Sequence, residues 1–190
     1  MPPLTFTEPS ALVLIDNQFA FNHPTHWGPS RSNPSFEKNL SALLKVFRAA
    51  RQRKPAVPIY IIHIFHSSLE PGSQLHHSKT DQIKPLDFAV PASDGSEPVF
   101  WKSANSSFIG TGLESFLREH GVRQVFFADG SLPEGIRIER GRVVLVADAT
   151  ATFAKGEFDA ETVHAVSVAS LSEEFADVFT TEAVVEALGV

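Results

Sequence analysis

Two ionisable residues close apolar runs that are far apart in the chain. Asp16 ends the run LVLI at 12–15, and Lys102 ends VFW at 99–101. Both runs have the make-up of strands buried in a parallel sheet. In such a sheet, residues just beyond the carboxyl ends of the strands converge on one crevice, where ligands bind. A carboxylate that meets a lysine there is a candidate general base with its cation held beside it. A helix cap or a structural ion pair is the competing role for Asp16. A third segment, VVLVADAT at 143–150, reads as part of the same site. Gln18 and Phe19, which follow Asp16, and Trp101, which precedes Lys102, are the candidates for substrate contact, while Phe21 and Trp27 are weighed as core or pocket lining. The chain has no cysteine. Disulfides, thiolate metal sites and a thiol nucleophile are therefore excluded.

The chain has eight histidines, which raises the question of a metal. His63 and His66 lie near the end of one apolar run, His76 and His77 in a polar loop, and His23 and His26 in a Pro-rich one. Asp81 and Asp87 have no histidine two residues on. No ligand set of the usual spacing emerges, so neither a metal nor a cofactor is expected.

Apolar runs of strand length alternate with helical periodicities, the pattern of βα units around a parallel sheet. Strands are expected over 11–15, 57–65, 99–101, 122–128, 143–147 and 177–180. A helix over 35–53 shows Phe36, Leu40, Leu43, Leu44 and Phe47 on one face. Further helices are expected over 113–120, ended by Gly121, over 159–175 and over 181–188 with Thr181 as N-cap. In the third of these four helices, Thr162, Val163, Val166, Ala169 and Ser170 share a face. The fold class is α/β, doubly wound, with a predominantly parallel sheet, helices on both faces, and a single domain over 1–190. Residues 67–98 form a long segment without periodicity, of the kind used as a lid or binding loop. The stretch DGSLPEGIRIERGR at 129–142 is short for a parallel crossover.

Composition narrows the function classes. The chain has 190 residues, 43% hydrophobic and 20% charged, with net charge −6. That is a globular composition with no basic footprint for nucleic acid. The N-terminus MPPLTFTEPS has no secretory pattern, and the apolar runs are too short to span a membrane. A cytoplasmic protein acting on a small molecule is expected.

The motifs LIDNQ at 14–18, FWKSANSSF at 100–108 followed by Gly110–Thr111, and ADATAT at 147–152 followed by Asp159, Thr162, His164, Ser167 and Leu171 resemble the isochorismatase-like cysteine hydrolases. This family includes nicotinamidases and related small amidohydrolases. The resemblance runs from about Ala11 to Leu188. It implies a doubly wound parallel fold, homo-oligomeric assembly, Asp16 as general base and Lys102 as catalytic lysine. It also implies a cysteine opening the crossover helix after the strand VFFA. Here that strand leads into DGSLPEG, and the cysteine position falls near Gly135. Ser131 is the remaining hydroxyl of the turn, and a serine needs both a base and a formed oxyanion hole. The reading is a hydrolase domain of this family that is catalytically impaired. The alternative is a non-catalytic subunit that binds a small ligand or an active homologue.

Overall fold

The computed structural model describes residues 3–53, 56–130 and 141–189. In chain order the strands are β1 (Ser10–Ile15), β2 (Ile59–His66), β3 (Val99–Lys102), β4 (Gln124–Asp129), β5 (Arg142–Val146) and β6 (Asp177–Phe179). They form one sheet in the order β3-β2-β1-β4-β5-β6, and every neighbouring pair is parallel. The chain winds outward from β1 to β3, then returns to place β4 on the other side of β1. The carboxyl ends of β1 and β4 therefore flank the point where winding reverses, the usual place for a ligand crevice. Every residue of β1 is buried, as its aliphatic sequence requires at the centre of the sheet.

The helices are α1 (Phe36–Gln52), α2 (Thr80–Ile83), α3 (Leu113–Glu119), α4 (Ala160–Leu171) and α5 (Thr181–Leu188). Strand alternation divides the core into two layers. On one face, Phe36, Leu40, Leu43, Leu44 and Phe47 of α1 and Val184 of α5 pack on Leu12, Leu14, Ile61, Phe126 and Val144. On the other, Leu113 and Leu117 of α3, with Val168 and Leu171 of α4, cover Val13, Ile15, Ile62, Val125 and Phe127. Each large side chain buried in this way contributes roughly 1.5–3 kcal/mol. The stripe expected on α1 is the stripe it buries.

Two helices differ from the sequence reading. α4 stops at Leu171 rather than at Phe175. Glu173 adopts φ 68°, and the N–H groups of Phe175 and Ala176 both return to the Leu171 carbonyl, at 3.1 and 2.9 Å. That turn starts β6. The expected face is also rotated: Thr162, Val166, Ala169 and Ser170 are exposed, whereas Val168 and Leu171 pack inward. A helix of Ala, Val and Ser is apolar most of the way round, so periodicity alone does not choose its buried side. In α5 the N-cap is Thr180, whose hydroxyl accepts from the Ala183 N–H at 3.3 Å. Thr181 instead donates its N–H and hydroxyl to Asp148 Oδ1, at 2.6 and 2.8 Å.

The long connection over 67–98 is pinned to the strand edge. Phe19 N–H donates to the Lys84 carbonyl at 3.1 Å, and Leu86 N–H to that of Asn17 at 2.9 Å. The crossover between β4 and β5, expected to be short or irregular, lies outside the described residues except at its ends. So do Ser131 and Gly135.

Candidate functional site

β1 ends by turning sharply. Asp16 takes φ 56°, a left-handed conformation that costs a non-glycine residue about 1–3 kcal/mol and recurs at functional positions. Its N–H still completes the ladder to the Ile64 carbonyl at 2.9 Å, while its carbonyl accepts from Gln18 N–H at 3.0 Å. The turn lifts the carboxylate out of the sheet. Lys102 is the last residue of β3 and stands in register with His66. Its side chain reaches across the end of β2 to Asp16, with Nζ 2.8 Å from Oδ2 and both side chains 4% exposed. The ammonium also donates to the Asn105 carbonyl at 2.7 Å. Two charges this dry persist because each offsets the desolvation of the other. Residues far apart in sequence thus meet at the carboxyl edge.

Other candidates fall in different places. Gln18 is fully buried, and its amide is spent on the scaffold. Nε2 donates to the carbonyls of His66 and Ile83, at 2.9 and 2.6 Å, and Oε1 accepts from His66 N–H at 2.7 Å. It ties the end of β2 to the long connection. Phe19 is half-buried, with the Lys84 ammonium 4.9 Å from its ring centre. Trp101 is 46% exposed and packs on Phe65 with ring centres 5.4 Å apart. Alternation puts it on the side of β3 away from Lys102. Phe21 stacks on Trp27 at 4.7 Å and faces Phe153. The aromatic residues thus form separate clusters, not one pocket wall.

His66 stands at the same edge, close enough to Asp16 and Lys102 to feel both charges, although the sequence offers it only as a possible metal ligand. Burial pushes its imidazole below the usual value, with Asp16 opposing and Lys102 reinforcing that shift. The signal was available: His66, like Asp16 and Lys102, is the ionisable residue that ends a buried strand. His63, three residues earlier, points to the opposite face. Its Nε2 lies 3.0 Å from Glu97 Oε2, a buried carboxylate that also holds the half-buried Arg48 and Arg51. The two histidines therefore do not converge on one ion.

The 147–152 segment reaches the same edge through its backbone, where Ala151 N–H donates to the Asp129 carbonyl at 3.0 Å. Thr150 is buried, donates to the Ala147 carbonyl and lies 3.1 Å from His164 Nε2. Asp148 is committed to the start of α5 through Thr181.

Comparison with known proteins agrees with this architecture. The sequence profile of the isochorismatase domain matches residues 10–128. An uncharacterised isochorismatase family protein of Bacillus subtilis, YrdC, is 32% identical over 187 residues, covering 92% of this chain and 94% of its own. A crystal structure assigned to the isochorismatase family of hydrolases, from Chromobacterium violaceum, superposes with a TM-score of 0.81 at 33% identity, over 100% of this chain and 99% of the other. A cysteine hydrolase of Pseudomonas syringae shares the fold alone, with a TM-score of 0.73 at 19% identity and coverage of 100% and 99%. With a profile match across more than half its length and a relative 32% identical over nearly the whole chain, the chain belongs to the isochorismatase family.

Proposed function

We propose that the crevice around Asp16 and Lys102 binds a small amide or acid, and that this chain does not complete the thiol-dependent hydrolysis its family resemblance implies. One observation carries the reading: a buried Asp16–Lys102 contact of 2.8 Å in a chain with no cysteine. The carboxylate and ammonium can polarise and orient a polar ligand in a dry site. They do not replace the group that would form the covalent intermediate, and loss of a nucleophile removes most of the catalysis in enzymes of this kind. In this reading Asp16 is the retained base, Lys102 its electrostatic partner, and His66 a neutral neighbour. Gln18 is a positioning residue that acts through the backbone of His66. Phe19 is the favoured candidate for ligand contact, and Trp101, on the face of β3 away from Lys102, is the less favoured one. Wild type and Asp16→Asn, presented with a panel of small amides and acids, test this by ligand-observed NMR. Binding by wild type that weakens at least about tenfold in the variant, without product, is expected. Turnover by wild type that Asp16→Asn abolishes would overturn the impaired reading.

Assembly into a homo-oligomer is favoured by a separate observation. Val166 of α4 is 64% exposed and Phe158 is 62% exposed. Together with Val163 they line an apolar groove of about 450 Å³. Light scattering should show a dimer or larger species that Val166→Glu with Phe158→Glu dissociates. A monomeric wild type would remove this part of the proposal.

A further inference from the structure

A second cation stands at the same edge, on a strap formed by residues 28–33. The strap pairs with residues 152–154. Ser32 N–H donates to the Thr152 carbonyl at 2.8 Å, and Ala154 N–H to that of Ser30 at 3.0 Å. Gly28 makes the approach possible, because at φ 146° an added Cβ would sit 2.6 Å from the Ala154 carbonyl oxygen. Asn33, at φ 53°, fixes the other end through Nδ2, which donates to the carbonyls of Asp148 and Thr150 at 2.7 and 2.8 Å.

This seat holds Arg31 with its faces occupied. The guanidinium carbon lies 4.5 Å from the ring centre of Phe36 and 5.5 Å from that of Phe153. Only the edges remain for hydrogen bonds. Nε and Nη2, which share one edge, are buried and meet no acceptor among the described residues. Gly130 separates that edge from the end of β1: a Cβ on Gly130 would come 3.4 Å from Nη2 and 2.8 Å from the Asp16 carbonyl oxygen. Gly130 itself donates its N–H to the Ile15 carbonyl at 3.0 Å. Arg31 therefore stands where β1 and β4 end.

The same protein shows what such an edge recognises. Arg48 uses its Nε and Nη2 to hold the two oxygens of Glu97, each at 2.7 Å. A planar fork of two parallel N–H donors matches a carboxylate better than any neutral group. Burial pushes the Arg31 guanidinium down from its ordinary value, with Glu37 and Asp129 opposing through space. Arginine keeps its charge even so. A desolvated cation with an unused fork is costly unless an anion completes it.

We propose that the Nε/Nη2 edge of Arg31 is a carboxylate-recognition subsite of the Asp16–Lys102 crevice, so that the preferred ligands are small carboxylates. This rests on the reading of that crevice as a ligand site. Benzoate is the probe, and benzamide, of the same shape without charge, is its control. Wild type should bind benzoate at least about tenfold more tightly than benzamide, and benzoate should shift the Arg31 Nε–H resonance. Arg31→Met should abolish the preference, and Arg31→Lys, which keeps the charge but not the fork, should reduce it. If Arg31→Met fails to fold, the Nε–H shift in wild type and the Arg31→Lys titration still decide. No benzoate preference in wild type, an unmoved Nε–H, or a preference unchanged in the folded variants would overturn the subsite. Binding that depends on Arg31 but not on Asp16 would leave the subsite and remove the Asp16–Lys102 reading. The reverse dependence would remove the subsite alone.

Discussion

Replacing Glu97 by glutamine should expose how the long connection is held to the body of the fold. The carboxylate is completely buried and accepts from four groups. Oε1 takes Arg48 Nε at 2.7 Å, while Oε2 takes Arg48 Nη2 at 2.7 Å, Ala92 N–H at 2.9 Å and His63 Nε2 at 3.0 Å. Arg51 adds a longer contact at 3.4 Å. The cluster thereby links α1, β2 and residues 90–97. Burial alone would push the Glu97 carboxyl up, but hydrogen bonds from Arg48, His63 and Ala92 hold it well below the usual carboxylate range. Glutamine keeps the shape, removes the charge and turns an NH₂ toward donors. Breaking a buried pair from one side costs about 3–5 kcal/mol. Arg48 and Arg51 are 33% and 25% exposed, so water recovers part of that loss. Roughly 2–3 kcal/mol is the expected destabilisation. Urea unfolding at neutral pH should show a lower midpoint with an unchanged slope. Because the folded carboxyl sits below its unfolded value of about 4.3, its contribution is present above that pH and disappears as pH falls toward the folded value. The variant should lose that acid limb. A neutral-pH change under about 0.5 kcal/mol, the size of an ordinary surface substitution, would refute the argument.

Three further outcomes follow from other contacts. Gly130→Ala would set a Cβ 2.8 Å from the Asp16 backbone oxygen. It should cost about 1–3 kcal/mol by overpacking and weaken ligand binding, and calorimetric titration beside urea unfolding reads both. His63 is fully buried; burial chiefly holds it below its ordinary value, with Glu97 opposing and Arg48 adding to the depression. Stability should therefore be intact above about pH 6.5 and fall below it by up to about 1.4 kcal/mol per pH unit, a slope that His63→Gln removes in urea midpoints from neutral to mildly acidic pH. Replacing the segment after Asp129 by a family-like turn with a cysteine and a full helix should raise the melting temperature and create amide hydrolysis together. If neither changes, the placement of the missing cysteine near Gly135 is wrong.

Strand positions and the α1 face were legible because period and polarity agree there. Residues 11–15 are wholly aliphatic, and Phe36 to Phe47 repeats at helical spacing. The Asp16–Lys102 meeting followed from a general property of parallel sheets, that strand ends converge. α4 was misjudged because an Ala/Val/Ser helix carries no polarity contrast, and its end is set by Glu173 in a left-handed conformation. The role of Gln18 was hidden because an amide next to a candidate base looks the same in sequence whether it faces a ligand or a backbone. Arg31 left no sequence signal at all. Its importance arises from a glycine that permits close approach at Ala154 and from two phenylalanines that cover its faces.

The proposed function has a family ligand site persisting in this chain without thiol hydrolysis. Product release from a panel of small amides, followed side by side for wild type, Asp16→Asn and Lys102→Met, tests it most directly. No product above the buffer rate is expected from any of the three, on the same samples in which wild type binds ligand. Sustained product release by wild type, lost in Asp16→Asn, would contradict it.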